Sequence, residues 1–247
     1  MISIIIPTLN EENYLPQLLE SIKRQDFTDY EIIIADGGSF DATLEIAKRF
    51  ACRVIGGGLP AQGRNEGAKI AKGDLLLFVD ADSTLPPNFL SQLIGEFKKR
   101  KLDLASLPVY PQGNIIDKFL YWIYNTWANL TQRILAHATQ TILIKREIHQ
   151  KIGGFDLDVK IGEDHAYARA GAKVGRFGFL NKVPALLTSA RRFECEGRLR
   201  IYTTYILAGF YMFFLGKIKA DIFKYYSQEK RLKKWNNNKL PKVDKKV

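Results

Sequence analysis

Hydrophobic and polar positions alternate along the first hundred residues in a rhythm that predicts strands and helices in turn. Short apolar runs predict strands, and apolar residues at three- and four-residue spacing predict helices between them. The predicted strands are Ser3–Pro7, Tyr30–Ala35, Arg53–Ile55 and Leu75–Val79, and the predicted helices are Glu11–Arg24, Thr43–Phe50, Arg64–Lys72 and Pro86–Arg100. We expect Asn10 to cap the first helix and Asp41 the second. Strand, helix, strand in this order predicts parallel βαβ units and an α/β fold.

The second half of the chain has a less regular pattern. Its predicted strands are Asp103–Val109, Gln140–Lys145 and Ala185–Ser189, and its predicted helices are Ile115–Leu135, Glu163–Ala172 and Leu199–Gly216. We expect one domain over residues 1–196. Residues 197–247 are expected to form an extension that combines an apolar helix with a basic tail.

The composition is that of a globular protein with a substantial core. Hydrophobic residues make up 46% and charged residues 26% of the 247 residues. No basic leader precedes a long apolar stretch, so we expect no secretory signal. Cys52 and Cys195 lack the spacing of a metal or disulfide framework, and we expect a reducing cytoplasm.

Polar residues follow three of the predicted strands at the point where each strand ends. These polar groups are Pro7–Glu12, Asp36–Asp41 and Asp80–Asp82. Any one of them could serve as a helix cap or a turn. Ligands of open parallel sheets bind beyond the carboxyl ends of the strands, so the three together predict a ligand site at one edge.

Asp80-Ala81-Asp82 predicts a cation site, because two carboxylates at the exit of a buried strand repel one another unless a cation lies beside them. Oxygen ligands suit Mg²⁺ or Mn²⁺, and such ions usually bridge carboxylates to substrate phosphates.

Two further motifs are candidates for chemistry. Asp164 opens a predicted helix, where a carboxylate could cap the helix or act as a general base, and adjacent His165 is an alternative base. Arg191 and Arg192 follow a predicted strand; they could bind a diphosphate through forked hydrogen bonds or form a basic surface turn.

Five motifs occur in the order found in family 2 glycosyltransferases, which this chain resembles over about residues 2–193. The five are Pro7-Thr8-Leu9-Asn10-Glu11-Glu12, Asp36-Gly37-Gly38-Ser39-Phe40-Asp41, Gly63-Arg64-Asn65-Glu66-Gly67, Asp80-Ala81-Asp82 and Gly162-Glu163-Asp164. The resemblance implies a GT-A fold, a mostly parallel Rossmann-like sheet flanked by helices. It also implies a nucleotide-diphosphate sugar donor and inversion at the anomeric carbon.

The resemblance also implies roles for individual residues. The residues that it assigns to donor binding are Pro7, Thr8, Asn10, Glu11, Asp36, Ser39, Asp41, Arg64, Asp80, Ala81, Arg191 and Arg192. Among them, Asp36 would hold the base and Arg64 would approach the nucleotide or its phosphates. Asp82 would bind the divalent metal, Mg²⁺ or Mn²⁺, and Asp164 would deprotonate the acceptor hydroxyl.

The chain departs from the processive polysaccharide synthases of this family, which carry a Gln-x-x-Arg-Trp motif. The corresponding window reads Ser189-Ala190-Arg191-Arg192-Phe193, which keeps the arginine but not the Gln or the Trp. We therefore expect transfer of a single sugar rather than chain synthesis.

The distribution of charge and of apolar segments along the chain indicates a cellular location. The net charge is +11, and Lys217–Val247 carries +8 of it, with 11 Lys and Arg against 3 Asp and Glu. A basic tail after the aromatic, apolar segment Ile201–Gly216 favours an anionic membrane surface as partner, without nucleic acid. We expect a peripheral location on the cytoplasmic face of the cell membrane, where a lipid-linked acceptor would be reachable. A solvated tail and a buried or oligomer-forming helix are the alternatives.

Two other functions are compatible with parts of the pattern. A sugar-phosphate nucleotidyltransferase should have a glycine-rich loop after the first strand, and Thr8-Leu9-Asn10-Glu11-Glu12 has no glycine. A non-enzymatic membrane- or nucleic-acid-binding module would use the basic tail, but the sequence carries no recognisable nucleic-acid-binding motif.

Overall fold

A computed structural model describes residues 1–220, and the chain divides into two compact units. The first unit comprises Met1–Leu157 and Glu163–Ser189, and the second comprises Asp158–Gly162 and the chain from Ala190 onward. The expected domain boundary after residue 196 stays a prediction. Most of the basic tail, from residue 221 onward, lies outside the described residues.

The described elements are ten strands and nine helices. The strands are β1 (Ile2–Thr8), β2 (Tyr30–Asp36), β3 (Arg53–Gly56), β4 (Leu75–Phe78), β5 (Ser83–Thr84), β6 (Leu104–Ser106), β7 (Val109–Pro111), β8 (Ile142–Lys145), β9 (Phe177–Phe179) and β10 (Leu186–Thr188). The helices are α1 (Leu15–Lys23), α2 (Thr43–Arg49), α3 (Pro60–Ile70), α4 (Phe89–Lys99), α5 (Ile115–Thr131), α6 (Arg146–Lys151), α7 (Glu163–Ala172), α8 (Arg191–Glu196) and α9 (Arg198–Phe214).

The first unit contains a seven-stranded sheet in the order β3-β2-β1-β4-β8-β6-β9. Strands β3, β2, β1 and β4 run parallel, whereas β8 runs antiparallel to both of its neighbours. Because β1, β2 and β4 are adjacent and parallel, their carboxyl ends share one edge of the sheet. The predicted α/β fold with a mostly parallel sheet is confirmed.

Helices cover both faces of this sheet. Ile4 and Ile6 of β1 pack in one cluster with apolar residues of α1 and α4, and Ile5 packs on the other face with residues of α3 and α7. Gly67 lets α3 approach β1 closely, since a Cβ there would lie 2.5 Å from Cγ2 of Ile5. This close packing fixes the position of α3 on the sheet and therefore the position of Arg64.

A second, three-stranded sheet has the order β5-β10-β7. Strand β5 begins directly after Asp82 and pairs antiparallel with β10, with Thr188 opposite Ser83. The pairing brings the end of β10 alongside the Asp80–Asp82 turn.

Three local predictions are wrong. Asn10 does not cap α1, because its φ of 57° is left-handed and the helix begins only at Leu15, where Pro16 occupies its first turn. The residue at the cap position of α2 is Ala42 rather than Asp41, although the carboxylate of Asp41 accepts a hydrogen bond from the N–H of Thr43 at 3.0 Å. The single strand predicted over Asp103–Val109 is two strands in different sheets, because Pro108 lacks the N–H that a continuous ladder needs.

The second unit contains α8 and α9. Ala208 of α9 packs with Ile161 and Ile218, which also form an antiparallel bridge. The predicted helix Leu199–Gly216 thus corresponds to α9. Within residues 1–220, every helix falls short of the combined length and hydrophobicity needed to cross a bilayer.

Candidate active site

The loops that follow β1 and β2 are joined through the carboxylate of Asp36. Its Oδ1 accepts hydrogen bonds from Oγ1 of Thr8 at 3.1 Å and from Oγ of Ser39 at 2.5 Å. Its Oδ2 accepts from the backbone N–H groups of Gly38 and Ser39 at 2.9 and 2.8 Å. One buried carboxylate therefore fixes the turn after β2 and ties it to the end of β1.

The same two loops are cross-linked further along. The backbone N of Asn10 donates to Oγ of Ser39 at 2.8 Å, and the Asn10 side chain accepts from the N–H of Phe40 at 3.0 Å. The backbone N of Glu12 donates to Asp41, and Glu12 in turn accepts from the loop after β2. These reciprocal bonds explain why the segment that was predicted to begin a helix instead adopts loop geometry.

Asp82 is held by the second sheet. Its Oδ2 accepts from Oγ of Ser189 at 2.7 Å, its Oδ1 accepts from Oγ1 of Thr188 at 3.3 Å, and its carbonyl accepts from the Ser189 N–H. Ala81 points into the core and is 3% exposed. The turn therefore presents Asp80 and Asp82 while the alanine between them anchors it.

Arg64 of α3 is buried among three carboxylates. Its Nη2 lies 2.8 Å from Oδ1 of Asp80, and its Nη1 lies 3.1 Å from Oε1 of Glu163 and 3.3 Å from Oδ1 of Asp164. The Arg64 side chain is 2% exposed, whereas the three acids are 18–27% exposed. The guanidinium thus joins the turn after β4 to the first turn of α7.

Aromatic and amide contacts hold Arg64 and its neighbours in place. The guanidinium carbon lies 5.3 Å from the ring centre of Phe155, which stacks on Tyr167 of α7 at 3.8 Å. Asn65 donates to the carbonyl of Phe155 and accepts from its N–H, at 2.9 and 2.8 Å. Gly154 accommodates this clamp with φ of 81°, and a Cβ there would lie 2.6 Å from Oδ1 of Asn65.

Burial dominates the electrostatics of the cluster. It raises the pKa of Asp164 well above its ordinary value, Arg64 limits the rise, and Glu163 and Asp80 add to it. Burial likewise raises the pKa of Asp80, again against the effect of Arg64. Burial alone would lower the pKa of Arg64, but the three carboxylates raise it, so the guanidinium stays a cation.

His165, the alternative base, lies in a different environment. Burial, together with neighbouring His137 and Arg169, lowers its pKa to about 3. Its Nδ1 accepts a hydrogen bond from the backbone N of Ala138 at 3.4 Å. The imidazole is therefore neutral and partly engaged, and Asp164 is the better candidate for a base.

The structure brings most of the predicted site residues to the carboxyl edge of the sheet. The residues that lie at the carboxyl ends of β1 and β2, in the loops after β1, β2 and β4 or in the Arg64 cluster are Pro7, Thr8, Asn10, Glu11, Asp36, Ser39, Asp41, Arg64, Asp80, Ala81, Asp82 and Asp164. Arg191 and Arg192 begin α8 in the second unit, where Nε of Arg192 lies 3.5 Å from Glu196. The roles assigned to all of these residues stay predictions.

Four contributors were not among the predicted site residues. Glu163 pairs with Arg64, Asn65 clamps the Phe155 turn, and Thr188 and Ser189 hold Asp82. The sequence held signals for three of these residues: Glu163 is adjacent to Asp164, and Thr188 and Ser189 lie at the polar end of β10. The partnership of Asn65 and Phe155 joins residues 90 positions apart and left no local signal.

No three His, Cys, Asp or Glu side chains within residues 1–220 converge on a ready-made cation site. Asp80 forms an ion pair with Arg64, and the carboxylate of Asp82 accepts hydrogen bonds from the hydroxyls of Thr188 and Ser189. One or two carboxylates completed by substrate phosphates are a common arrangement for Mg²⁺.

Known proteins resemble this chain in sequence and in fold. The model of glycosyl transferase family 2 matches residues 3–157. The glycosyltransferase EpsJ of Bacillus subtilis (strain 168) is 30% identical over 190 residues, which are 68% of this chain and 54% of EpsJ. The chain therefore spans about half the length of that relative.

Solved structures share the fold. The structure of residues 1–349 of Staphylococcus aureus TarS with UDP-GlcNAc aligns with a TM-score of 0.65 and 22% identity, over 76% of this chain and 58% of that one. The mannosyltransferase PcManGT of Pyrobaculum calidifontis, with GDP-Man and Mn²⁺, aligns with a TM-score of 0.63 and 20% identity, over 83% and 64%. The fold is thus GT-A, as the sequence motifs implied.

The family match decides between the classes of protein considered from the sequence. It is a match to a family of glycosyltransferases rather than to nucleotidyltransferases or binding modules. This chain belongs to glycosyltransferase family 2.

Proposed function

We propose that this chain transfers one sugar, with inversion, from a UDP- or GDP-linked donor to a hydroxyl or phosphate acceptor, with the help of a divalent metal. The observation that supports the proposal most directly is the contact of Arg64 with both Asp80 and Asp164. It brings a carboxylate of the donor-side turn and a candidate base, from elements far apart in the chain, to one guanidinium. A transferase needs this proximity, because donor and acceptor must react across a few ångströms.

The two cross-linked loops after β1 and β2 are the proposed nucleoside site. Thr8 and Asp36 end the two strands, and Asn10, Glu11 and Ser39 belong to the loops. Their hydrogen bonds make the site rigid before any ligand arrives. A preformed site loses little conformational entropy on binding. TarS with UDP-GlcNAc and PcManGT with GDP-Man, which share the fold, motivate the two donor classes.

Asp82 is the proposed metal ligand, and Mg²⁺ or Mn²⁺ is the proposed ion. The two oxygen atoms of the Asp82 carboxylate accept hydrogen bonds from the hydroxyls of Thr188 and Ser189, which fix the carboxylate in the turn directly after β4. Diphosphate oxygens of the donor would complete the coordination. A bound cation would neutralise charge on the departing nucleoside diphosphate.

Asp164 is the proposed general base. It would take the proton of the acceptor hydroxyl as that oxygen forms a bond to the anomeric carbon and the bond to the diphosphate breaks. A raised carboxyl pKa suits a general base, because proton transfer is most efficient when the pKa lies near the working pH. A single displacement of this kind inverts the anomeric centre.

The proposed location is peripheral, at the cytoplasmic face of a membrane, and a lipid-linked acceptor is compatible with it. The net charge of +11, most of it in Lys217–Val247, supports attraction to anionic lipid.

Ligand-dependent melting of the full chain tests the proposal. Melting temperatures are measured with UDP-GlcNAc, UDP-glucose, GDP-mannose and dTDP-glucose, each with and without Mn²⁺. A ligand that binds only the folded state raises the melting temperature, more so as it binds more tightly. We expect one nucleotide class to raise it in the presence of Mn²⁺ and that donor to release nucleoside diphosphate slowly. No shift with any donor, or release of pyrophosphate from a nucleoside triphosphate, would contradict the proposal.

A further inference from the structure

Helix α5 has its apolar side turned outward. Its buried face carries Asp117 and Asn125, at 0% and 6% exposure. Its exposed hydrophobic residues recur every three or four positions along one stripe, which continues just past the helix end. They are Ile115, Ile116, Phe119, Trp122, Ile123, Trp127, Leu130 and Ile134, between 44% and 91% exposed. A helix in a globular protein normally presents the opposite arrangement.

The buried polar residues explain why this inversion is stable. Asp117 forms a capping box with Asn114, and the amide of Asn125 donates to the carbonyl of Val109 at 3.1 Å. The Asp117 carboxylate and the amide nitrogen of Asn125 are thus engaged by neighbouring backbone atoms, whereas Oδ1 of Asn125 is buried without a hydrogen-bond partner among the described residues. The outward apolar stripe is therefore an established feature of this helix and requires a partner of its own.

Cations lie at both ends of the stripe. Lys118 is exposed near the start, and Arg133 is exposed near the end, directly before Ile134. None of the side chains exposed by the described helix is acidic. Aromatic and aliphatic residues with flanking Lys and Arg are the composition of helices that lie in the headgroup region of a bilayer.

A cavity of about 480 Å³ adjoins the end of the stripe. The residues that line it are Arg100, Gln132, Arg133, Arg176 and Phe177, so none of its described lining is acidic. Arg100 is fixed, with its guanidinium donating to the carbonyl of Phe179 and to Gln132, each at 2.8 Å. Nearby Asp103 is paired with Lys145 at 2.7 Å, and its Oδ2 also accepts a hydrogen bond from the backbone N–H of Arg176 at 2.8 Å.

We propose that the exposed face of α5 lies on an anionic membrane and that the three-arginine cavity takes a lipid headgroup phosphate. Guanidinium groups bind phosphate oxygens through paired hydrogen bonds, which matches the positive cavity to that anion. Seventeen residues of helix extend about 26 Å, a length suited to lying along the surface. A protein partner of equal hydrophobicity would not require three arginines beside the apolar stripe.

This docking would present the active site to lipid-linked acceptors, and to that extent it rests on the proposed function. On the inner side of α5, the Tyr124 hydroxyl donates to the carbonyl of Ala138 at 2.9 Å, and its ring lies 6.4 Å from that of His165 on α7. Burial raises the pKa of Tyr124, and the charge of Asp164 raises it further. The proposed base and the proposed membrane face therefore lie on opposite sides of one helix.

Tryptophan fluorescence tests the contact directly. Trp122 and Trp127 are two of the three tryptophans, so a Trp235→Phe background leaves only the α5 pair as reporters. The full-length variant is mixed with phosphatidylcholine vesicles that contain or lack phosphatidylglycerol and that carry bromine on the upper acyl chain. With phosphatidylglycerol, we expect brominated lipid to lower the emission at least twofold relative to unbrominated vesicles.

Two outcomes of this experiment would overturn the α5 contact. One is binding to the vesicles without quenching, which would assign attachment to another segment such as the basic tail. The other is shielding of both tryptophans from acrylamide without vesicles, which would mean that a second copy or another part of the chain covers the stripe. Neither measurement uses a sugar donor, so failure here is distinguishable from failure of the transferase proposal.

A charge-matched pair of variants tests the cavity. Arg133→Gln with Arg176→Gln should weaken binding to phosphatidylglycerol vesicles roughly 30-fold, since each basic residue near an anionic surface contributes about 1 kcal/mol. Lys48→Gln with Arg49→Gln removes the same charge from exposed positions on α2 and should change binding by about twofold or less. Equal losses in the two double variants would overturn the assignment of the cavity.

Discussion

Nη1 of Arg64 lies 3.3 Å from Oδ1 of Asp164, and this contact joins a helix near the start of the chain to the helix that carries the proposed base. The guanidinium is 2% exposed and also contacts Asp80 and Glu163. It was predicted to approach the nucleotide or its phosphates. A guanidinium surrounded in this way suits a positioning role. It fixes the distances between the acids around it and balances their negative charge.

Replacing Arg64 with Met should therefore destabilise the fold. Three acids would be left close together without their counter-ion, and breaking a buried ion pair from one side typically costs about 3–5 kcal/mol. We expect a loss of that size in the free energy of unfolding, measured by urea denaturation. Arg49→Met on the exposed face of α2 is the control and should change it by about 0.5 kcal/mol or less. Similar losses in both variants would show that the cluster does not depend on Arg64.

Substituting Asp164 with Asn should abolish transfer without abolishing donor binding. The amide keeps the shape of the side chain but cannot accept the acceptor proton, and loss of a general base lowers kcat by about 10²–10⁴-fold. Glu163→Gln removes a charge from the same turn of α7 and is the matched control. Nucleoside diphosphate release and donor affinity are measured for both. Comparable turnover in the Asp164→Asn variant and the wild type would exclude the base assignment.

The acid limb of the rate profile should reflect the raised pKa of Asp164. The base works only when deprotonated, so kcat/KM should fall as pH drops through a pKa above the ordinary carboxyl range. Since the charge of Glu163 helps to raise this pKa, Glu163→Gln should move the limb to lower pH. Glu147→Gln, an exposed acid on α6, should leave the limb in place. If the fall of kcat/KM at low pH shifts equally in both variants, it does not reflect the pKa of Asp164.

The regular half of the fold could be predicted from sequence because buried parallel strands such as Ile2–Thr8 leave continuous apolar runs. The burial of Arg64 could not. The stretch Gly63-Arg64-Asn65-Glu66-Gly67 is polar and resembles an exposed helix, and the partner Glu163 lies 99 positions away. The outward apolar face of α5 was equally hidden, since periodicity reveals an apolar side but not which way that side points. Pro108, by contrast, was a visible strand breaker that the single-strand prediction overlooked.

Three histidines with a lowered pKa should make stability depend on pH. Burial lowers the pKa of His137 and His149 to about 4 and that of His165 to about 3, against about 6.5 in an unfolded chain. As pH falls below 6.5 the unfolded chain binds these protons first, so stability is lost between about pH 6.5 and 4. Each histidine should contribute roughly 2 kcal/mol of loss at pH 5 relative to pH 7.

Urea denaturation at pH 7 and pH 5 measures this dependence, and His137→Phe isolates one histidine. The His137 ring is 2% exposed and packs 4.0 Å from the ring of Trp127, so an apolar ring suits the position. On acidification, the free energy of unfolding of the variant should fall less than that of the wild type. The difference should correspond to the uptake of about one proton. If the free energy of unfolding depends on pH equally in the variant and the wild type, His137 is protonated in the folded state.

Asp82 should control the metal dependence of donor binding. Calorimetric titration of the preferred nucleotide sugar with and without Mn²⁺ should show a large gain in affinity for the wild type and none for Asp82→Ala, because the carboxylate that would anchor the cation is gone. Removing Asp82 also frees the hydroxyl of Ser189, which donates to it at 2.7 Å. Ser189→Ala is therefore the matched control: it removes the hydrogen bond, keeps the carboxylate and should retain the Mn²⁺ effect. The assignment would be reversed if Mn²⁺ still increased donor affinity in Asp82→Ala but no longer did so in Ser189→Ala. Binding of the cation would then depend on the end of β10 rather than on the turn after β4.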